Sequence, residues 1–189
     1  MNKIDTNIST FKKSIESTFK AISKKSNINI LFGLENKNSD KDVVLPEVNR
    51  EIFLKSKLSI RGKSDSASLV NRYHNKKIHQ KMAPQNEETK IIFDEVEFLR
   101  CELLGSEKYP GIKKNLLDSD LEYIQVKKNE NLKLNKSETF KLFLKNKILK
   151  LNFSNKLSEV SDPIIEPLNK TLKNQKFNIL GKINNQKEF

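Results

Sequence analysis

The chain has 189 residues, a formal net charge of +12 and 35% hydrophobic residues, enough to give a domain of ordinary size a real core. It contains no run of eighteen apolar residues to span a bilayer, and Met1-Asn2-Lys3-Ile4-Asp5-Thr6 lacks the apolar stretch of a secretory signal, which predicts a cytoplasmic protein with no membrane partner. The charge does not by itself point to nucleic acid: Lys and Glu are interleaved, arginine stands only at 50, 61, 72 and 100, and no clustered basic patch with aromatics is present.

In chain order, the first predicted element is a helix over 6–23, with Ser9 as N-cap and Phe11, Ile15, Phe19 and Ile22 recurring at steps of three and four. Two β-prone runs follow, Ile28 to Phe32 and Val43 to Leu45. A polar segment from Glu35 to Asp42 separates them and Pro46 closes the second, a pattern that predicts a small β-hairpin over 28–45. Ser64 or Asp65 then caps a helix running to about Met82 and stopped by Pro84. Asn86 opens another that runs to Leu104 and ends at Gly105, so that 64–105 forms a central αα-hairpin.

Pro110 and Gly111 mark a turn before a helical stretch over 112–124, and an Asn- and Lys-rich loop leads to a helix over 137–151 with Phe140, Phe143, Leu144, Ile148 and Leu151 as its apolar face. Asp162-Pro163 introduces a last helix to about Leu172, with Ile164, Ile165, Leu168 and Leu172 inward. Residues 181–189 read as a flexible tail. The expected fold class is mainly α: a single helical domain over 1–180 with a central αα-hairpin and a small β-hairpin near the N-terminus.

Helical geometry limits what the titratable residues can do. His74 falls in the stripe Val70, His74, Ile78, Met82, which points its imidazole inward. His79 lies five residues on, about 140° around the axis, so the two do not chelate one ion as an i, i+4 pair would. His74 therefore reads as a buried imidazole bonded to a neighbour, and no metal site is expected. Glu97 and Arg100 are neighbours at i, i+3 on the shoulder of an apolar face, an ion pair that fixes helix register; a carboxylate beside a guanidinium stays ionised and is a poor proton donor. The lone Cys101 falls on the polar side of its helix with no base near it, an ordinary free thiol. Phosphate-binding loops, H-E-x-x-H, paired C-x-x-C and G-x-S-x-G elbows are all missing from the sequence, so neither catalytic nor cofactor-binding residues are assigned.

The order Arg61-Gly62, Asp65-Ser66, Ala67, Leu69, His74, His79, Pro84, then Phe93-Asp94-x-Val96-Glu97-x-x-Arg100-x-Glu102-x-x-Gly105, then Gly111 and Asn115, resembles the N-terminal region of the CobT subunit of aerobic cobaltochelatase. Phe32-Gly33 and Leu45-Pro46 are similar to that family's lead-in, and the resemblance extends from about Phe11 to Ile124. Phe98-Leu99 and Tyr109-Pro110 depart from its pattern without removing a charged member. The resemblance implies a subunit of the ATP-dependent complex that inserts cobalt into hydrogenobyrinic acid a,c-diamide in cobalamin biosynthesis. Its partners would be the AAA+ ATPase subunit CobS and the large subunit CobN, with self-association left open.

In that family the metal-adhesion motif sits in a C-terminal von Willebrand factor A domain, which is expected to be absent from this chain. Cobalt and ATP are then used by the complex, and this chain binds neither. The candidate interaction or structural residues are Arg61, Asp65, His74, His79, Glu97, Arg100 and Glu102, with Arg61, Asp65, His79 and part of the acidic and arginine group facing the partner. Two rival readings are a basic nucleic-acid-binding helical domain and a small hydrolase using His74, Glu97 and Glu102. The first requires binding that weakens steeply with salt, the second a pocket holding all three side chains.

Overall fold

The computed structural model describes residues 3–33, 39, 41–149, 151, 154–161, 163, 166–167, 170 and 179–189. The described helices are α1 (Lys3–Ser23), α2 (Arg50–Tyr73), α3 (Lys76–Met82), α4 (Glu87–Lys108), α5 (Pro110–Asn129), α6 (Lys136–Ile148), α7 (Ser154–Val160) and α8 (Ile179–Lys182), with strands β1 (Asn29–Phe32) and β2 (Asp42–Leu45). The chain is mainly α, as its periodicities predict. Packing separates it into two compact units, Met1–Tyr73 with Gly105–Glu122 and His74–Leu104 with Tyr123–Phe189, a finer division than the single domain read over 1–180.

In the first unit, the predicted stripe of α1 is its buried face: Ile15 and Phe19 are fully enclosed and Ile22 nearly so. Ile15 and Phe19 form a core with Ile28, Leu45, Val48 and Ile60, and Phe11 meets Phe53 edge to face with ring centroids 5.4 Å apart. Burying side chains of this size contributes about 1.5–3 kcal/mol each. The helix begins at Lys3, so Ser9 lies inside it rather than capping it.

The two strands are parallel, not a hairpin, with Asn29 opposite Asp42 and Phe32 opposite Leu45. Two apolar runs separated by a polar segment fit either direction; the side-chain bond from Asn29 Nδ2 to Asp42 Oδ1 (2.9 Å) and the bond from Gly33 N to Leu45 O (3.0 Å) fix this one. Gly33 leaves β1 with φ +93°, and a Cβ there would overlap the Glu47 carboxylate, so the position demands glycine.

Helix α2 starts fourteen residues before the expected cap at Ser64, because Asn49 accepts the amide of Ile52 (2.9 Å) and the apolar spacing continues upstream through Ile52, Phe53 and Ile60. It is kinked at Ser56 (φ −136°, ψ 24°). Ser64 and Asp65 are buried mid-helix. The helix ends at Tyr73 even though the apolar stripe runs on to Met82. Asn75 adopts an extended backbone and takes the amides of Lys77 (3.1 Å) and Ile78 (3.2 Å), capping the separate helix α3. The predicted central pair is thus α2 and α3 followed by α4. Asn86 caps α4 through the amide of Thr89 (3.0 Å), as expected.

Gly105 does not stop α4. A Cβ there would overlap both δ-carbons of Leu69, so this glycine permits close approach of α2 and α4. Gly62 does the same for α2 and α5: its Cβ would overlap the Ser119 side chain and lie 2.7 Å from the Asn115 carbonyl. Pro110 occupies the first position of α5, which extends to Asn129, beyond the expected end at 124.

In the second unit, α6 is capped by Asn135 with Glu138 in a reciprocal capping box, two residues before the expected start at Ser137. Its buried positions include Leu142, Phe143 and Leu144 as well as Lys145 and Asn146. Helix α7 was not expected, and the predicted helix from 162 to 172 lies largely outside the described residues. The 181–189 segment read as flexible is tied down: Ile183 is 1% exposed, and Gln186 bonds both backbone groups of Asn75.

Gly62→Ala is expected to cost about 1–3 kcal/mol, since the neighbours it meets include backbone. Gly111→Ala, with nothing within 4 Å of its Cβ, is expected to be neutral or to stabilise by up to about 1 kcal/mol. Urea midpoints of the two variants against the parent check the contrast.

Candidate functional site

In the first unit, Asp65 is almost fully buried and its Oδ2 accepts from Asn115 Nδ2 at 2.7 Å. Burial raises its carboxyl above the ordinary value of 3.8, while the Asn115 amide and the Arg61 charge pull it down only in part. Arg61 donates to Ser14 Oγ at 3.2 Å. Arg61 and Asp65 thus connect α2 with α1 and α5, and Asp65 is not available to a partner surface, contrary to the sequence expectation.

The second unit holds a polar cluster built on α3 and α4. Arg100 grips Glu97 with two bonds, Nε to Oε2 (2.7 Å) and Nη2 to Oε1 (2.8 Å), and its Nη1 donates to the Ile183 carbonyl (3.0 Å). The i, i+3 spacing on α4 produces the fork, and both residues are buried. His74 Nδ1 lies 3.0 Å from Glu97 Oε1. Burial pulls the Glu97 carboxyl up, but the bonds from Arg100 and His74 together outweigh it and hold the group below its ordinary value of 4.5.

The two imidazoles, expected to diverge, are neighbours: their centroids are 4.8 Å apart at an interplanar angle of 70°. The expectation assumed one continuous helix, and the break at Asn75 removes that constraint. His79 stacks on Phe93 (4.5 Å, 17°) and lies 2.7 Å from Asp94 Oδ1, while Lys90 donates to the other oxygen of Asp94 at 2.7 Å. Burial raises Asp94, and the bonds from Lys90 and His79 overturn that and lower it. No group of three or more His, Cys, Asp and Glu side chains that could hold a metal ion occurs among the described residues.

Glu102 is buried apart from this cluster, against Lys145 (2.8 Å) and Lys141 (3.5 Å) of α6; Lys141 also reaches Glu95 at 3.1 Å. Lys145 is 1% exposed. Sequence reasoning missed both lysines, since a lysine beside Leu142, Phe143 and Leu144 reads as solvated until its partner is known. Cys101, expected on a polar face, is fully buried: α4 is enclosed from Leu99 to Ser106, so the side carrying its polar residues faces the interior as well. Burial and the Glu97 charge push the thiol far up, which leaves it inert.

A cavity of about 90 Å³ lies beside the cluster, lined by residues that include His79, Met82, Phe93, Glu97, Gln186 and Phe189. Neither His74 nor Glu102 lines it, so the three-residue arrangement of the hydrolase reading is not assembled there. The cluster is a network of hydrogen-bonded side chains, buried at Glu97 and Arg100 and reaching the surface at Lys90.

On acidification, Glu97 supplies a clear signature. Its folded-state carboxyl is lowered, so its stabilisation is present above 4.5 and lost as pH falls through the folded value. Glu97→Gln is expected to flatten the acid limb of a stability-versus-pH curve. Arg100→Ala, which strands a buried carboxylate, is expected to cost about 3–5 kcal/mol at neutral pH by denaturant unfolding.

Asp65 has the opposite sign: its raised carboxyl makes the ionised form unfavourable, so this contribution weakens stability as pH rises from 3.8 through the folded value. Asp65→Asn is therefore expected to match or exceed the parent at pH 7 and to lose that advantage on acidification, whereas Asp65→Ala strands the Asn115 amide and costs about 1–3 kcal/mol.

Comparison with known families adds one match, to the family described as cobalamin biosynthesis protein CobT, over residues 5–140. No solved structure matches the chain.

Proposed function

The chain belongs to the CobT family of cobalamin biosynthesis proteins, and from that premise we propose that it is a non-catalytic subunit of the ATP-dependent cobaltochelatase complex, acting in the cytoplasm through protein contacts. Cobalt is the substrate of that complex, ATP its energy source, and this chain holds neither. Its partners are the AAA+ ATPase subunit CobS and the large subunit CobN.

The observation that carries the non-catalytic reading is the saturation of the charged cluster. Glu97 is held by Arg100 and His74, Asp94 by Lys90 and His79, and Glu102 by Lys145 and Lys141, while the adjoining cavity of about 90 Å³ is well below the roughly 300–1,000 Å³ of ordinary ligand pockets. A carboxylate bonded to a guanidinium or an ammonium group stays ionised and is a poor proton donor near neutral pH.

Burial of Asp65, Glu97, Arg100 and Glu102 moves the candidate contact surface elsewhere. Leu54 and Leu58 flank the Ser56 kink of α2 with relative exposures of 63% and 45%, large for leucine, and Lys55 and Lys57 stand between them. Exposed apolar side chains framed by charge favour a protein partner over nucleic acid, which would call for clustered arginines and exposed aromatics. No helix among the described residues is long and apolar enough to cross a membrane.

Co-purification with tagged CobS is the test. The parent chain is expected to be retained at 150 mM salt, and Leu54→Glu combined with Leu58→Glu is expected to abolish retention with an unchanged circular dichroism spectrum. Retention of the double variant would remove this surface, and turnover of a small molecule by the purified chain alone would overturn the non-catalytic reading.

A further inference from the structure

The last residues of the chain sit on the second unit in the manner of a bound peptide. Ile183 is the anchor, 1% exposed, with its carbonyl accepting from Arg100 Nη1 at 3.0 Å. Three residues on, Gln186 spans the backbone of Asn75: its Oε1 accepts the Asn75 amide (2.9 Å) and its Nε2 donates to the Asn75 carbonyl (3.2 Å). Three residues further, Phe189 joins Gln186 in lining the cavity with Ile78, Met82, Phe93 and Val96. The segment holds its own shape through bonds that do not involve the rest of the unit: Asn185 N to Lys182 O (2.9 Å), Phe189 N to Asn185 O (3.1 Å) and Asn185 Nδ2 to Glu188 Oε1 (2.6 Å).

A segment that carries its own turn and touches its host at three spaced points can leave as a body. What it uncovers would be coherent: the apolar side chains of Ile78, Met82, Phe93 and Val96 on α3 and α4, and beside them the Asn75 amide that Gln186 accepts from. We infer that residues 183–189 are a detachable latch that fills, in cis, a peptide-binding groove on α3 and α4. The groove selects an aliphatic residue, a side-chain amide three positions later and an aromatic three after that. Its occupant in trans is a partner segment of the same chemistry, which displaces the latch. This deepens the interaction reading above and rests on it for the identity of the partner, but not for the latch itself.

Two measurements on the full chain test the inference without any other subunit. In native hydrogen exchange, the Asn75 amide, protected through Gln186, is expected to exchange at least tenfold faster than the amides of Leu99 and Leu103 in α4. Exchange of Asn75 at the α4 rate means the latch opens only when the unit unfolds, and overturns the proposal.

The second measurement uses a fluorescent peptide of sequence 181–189. It is expected to bind Gln186→Ala at least tenfold more tightly than the parent chain, and a peptide with alanine at the positions of Ile183, Gln186 and Phe189 is expected not to bind. Equal affinity for parent and variant, or binding of the alanine peptide, overturns it. A failure of the chain to co-purify with CobS would sink the complex reading and leave both of these results standing.

Discussion

The second unit depends on keeping the Arg100 guanidinium paired while it is out of water. Its two bonds to Glu97 and one to the Ile183 carbonyl use the planar fork of donors that arginine alone presents, and His74 occupies the carboxylate from another side. Such a pair adds little net stability over an apolar packing of equal volume, because desolvation offsets most of the attraction. It does make alternative packings costly. Any arrangement that separates Glu97 from Arg100 strands a buried charge. The ion pair thereby specifies one register of α4 against its surroundings, and the same logic applies to Glu102 with Lys145 and Lys141.

The first unit uses a different device for the same end. Gly62 and Gly105 remove side chains where α2 meets α5 and α4, and Leu69 and Ser119 fill the space so released. Helices brought this close allow Asp65 and Asn115 to bond directly at 2.7 Å. Close approach and a buried carboxylate are therefore coupled: the aspartate reaches its amide partner because the glycine lets the backbones come together. In both units, residues with the look of a chemical site are buried inside helices and bonded to side chains of their own unit.

Glu97, Arg100, Glu102 and Lys145 are buried with their partners, whereas Leu54 and Leu58 of α2 stay exposed. Cys101 is fully buried and exposes no thiol to oxidation.

Much of this was legible in the residues alone. The apolar spacing of α1, the Asn86 cap of α4 and the i, i+3 contact of Glu97 with Arg100 follow from local geometry, because a helix fixes the relation of residues three and four apart whatever surrounds it. Family membership was legible too, since a spaced pattern of identities needs no coordinates. Only the tertiary structure decided the rest. The direction of the β ribbon, the juxtaposition of His74 and His79 across the Asn75 break, the burial of Cys101 and Lys145, and the helical interior position of Gly105 all turn on what packs against a segment from far along the chain. Local pattern tells which face of a helix is apolar. It does not tell that a helix is enclosed on every side, and there the polar face must find its partners inside.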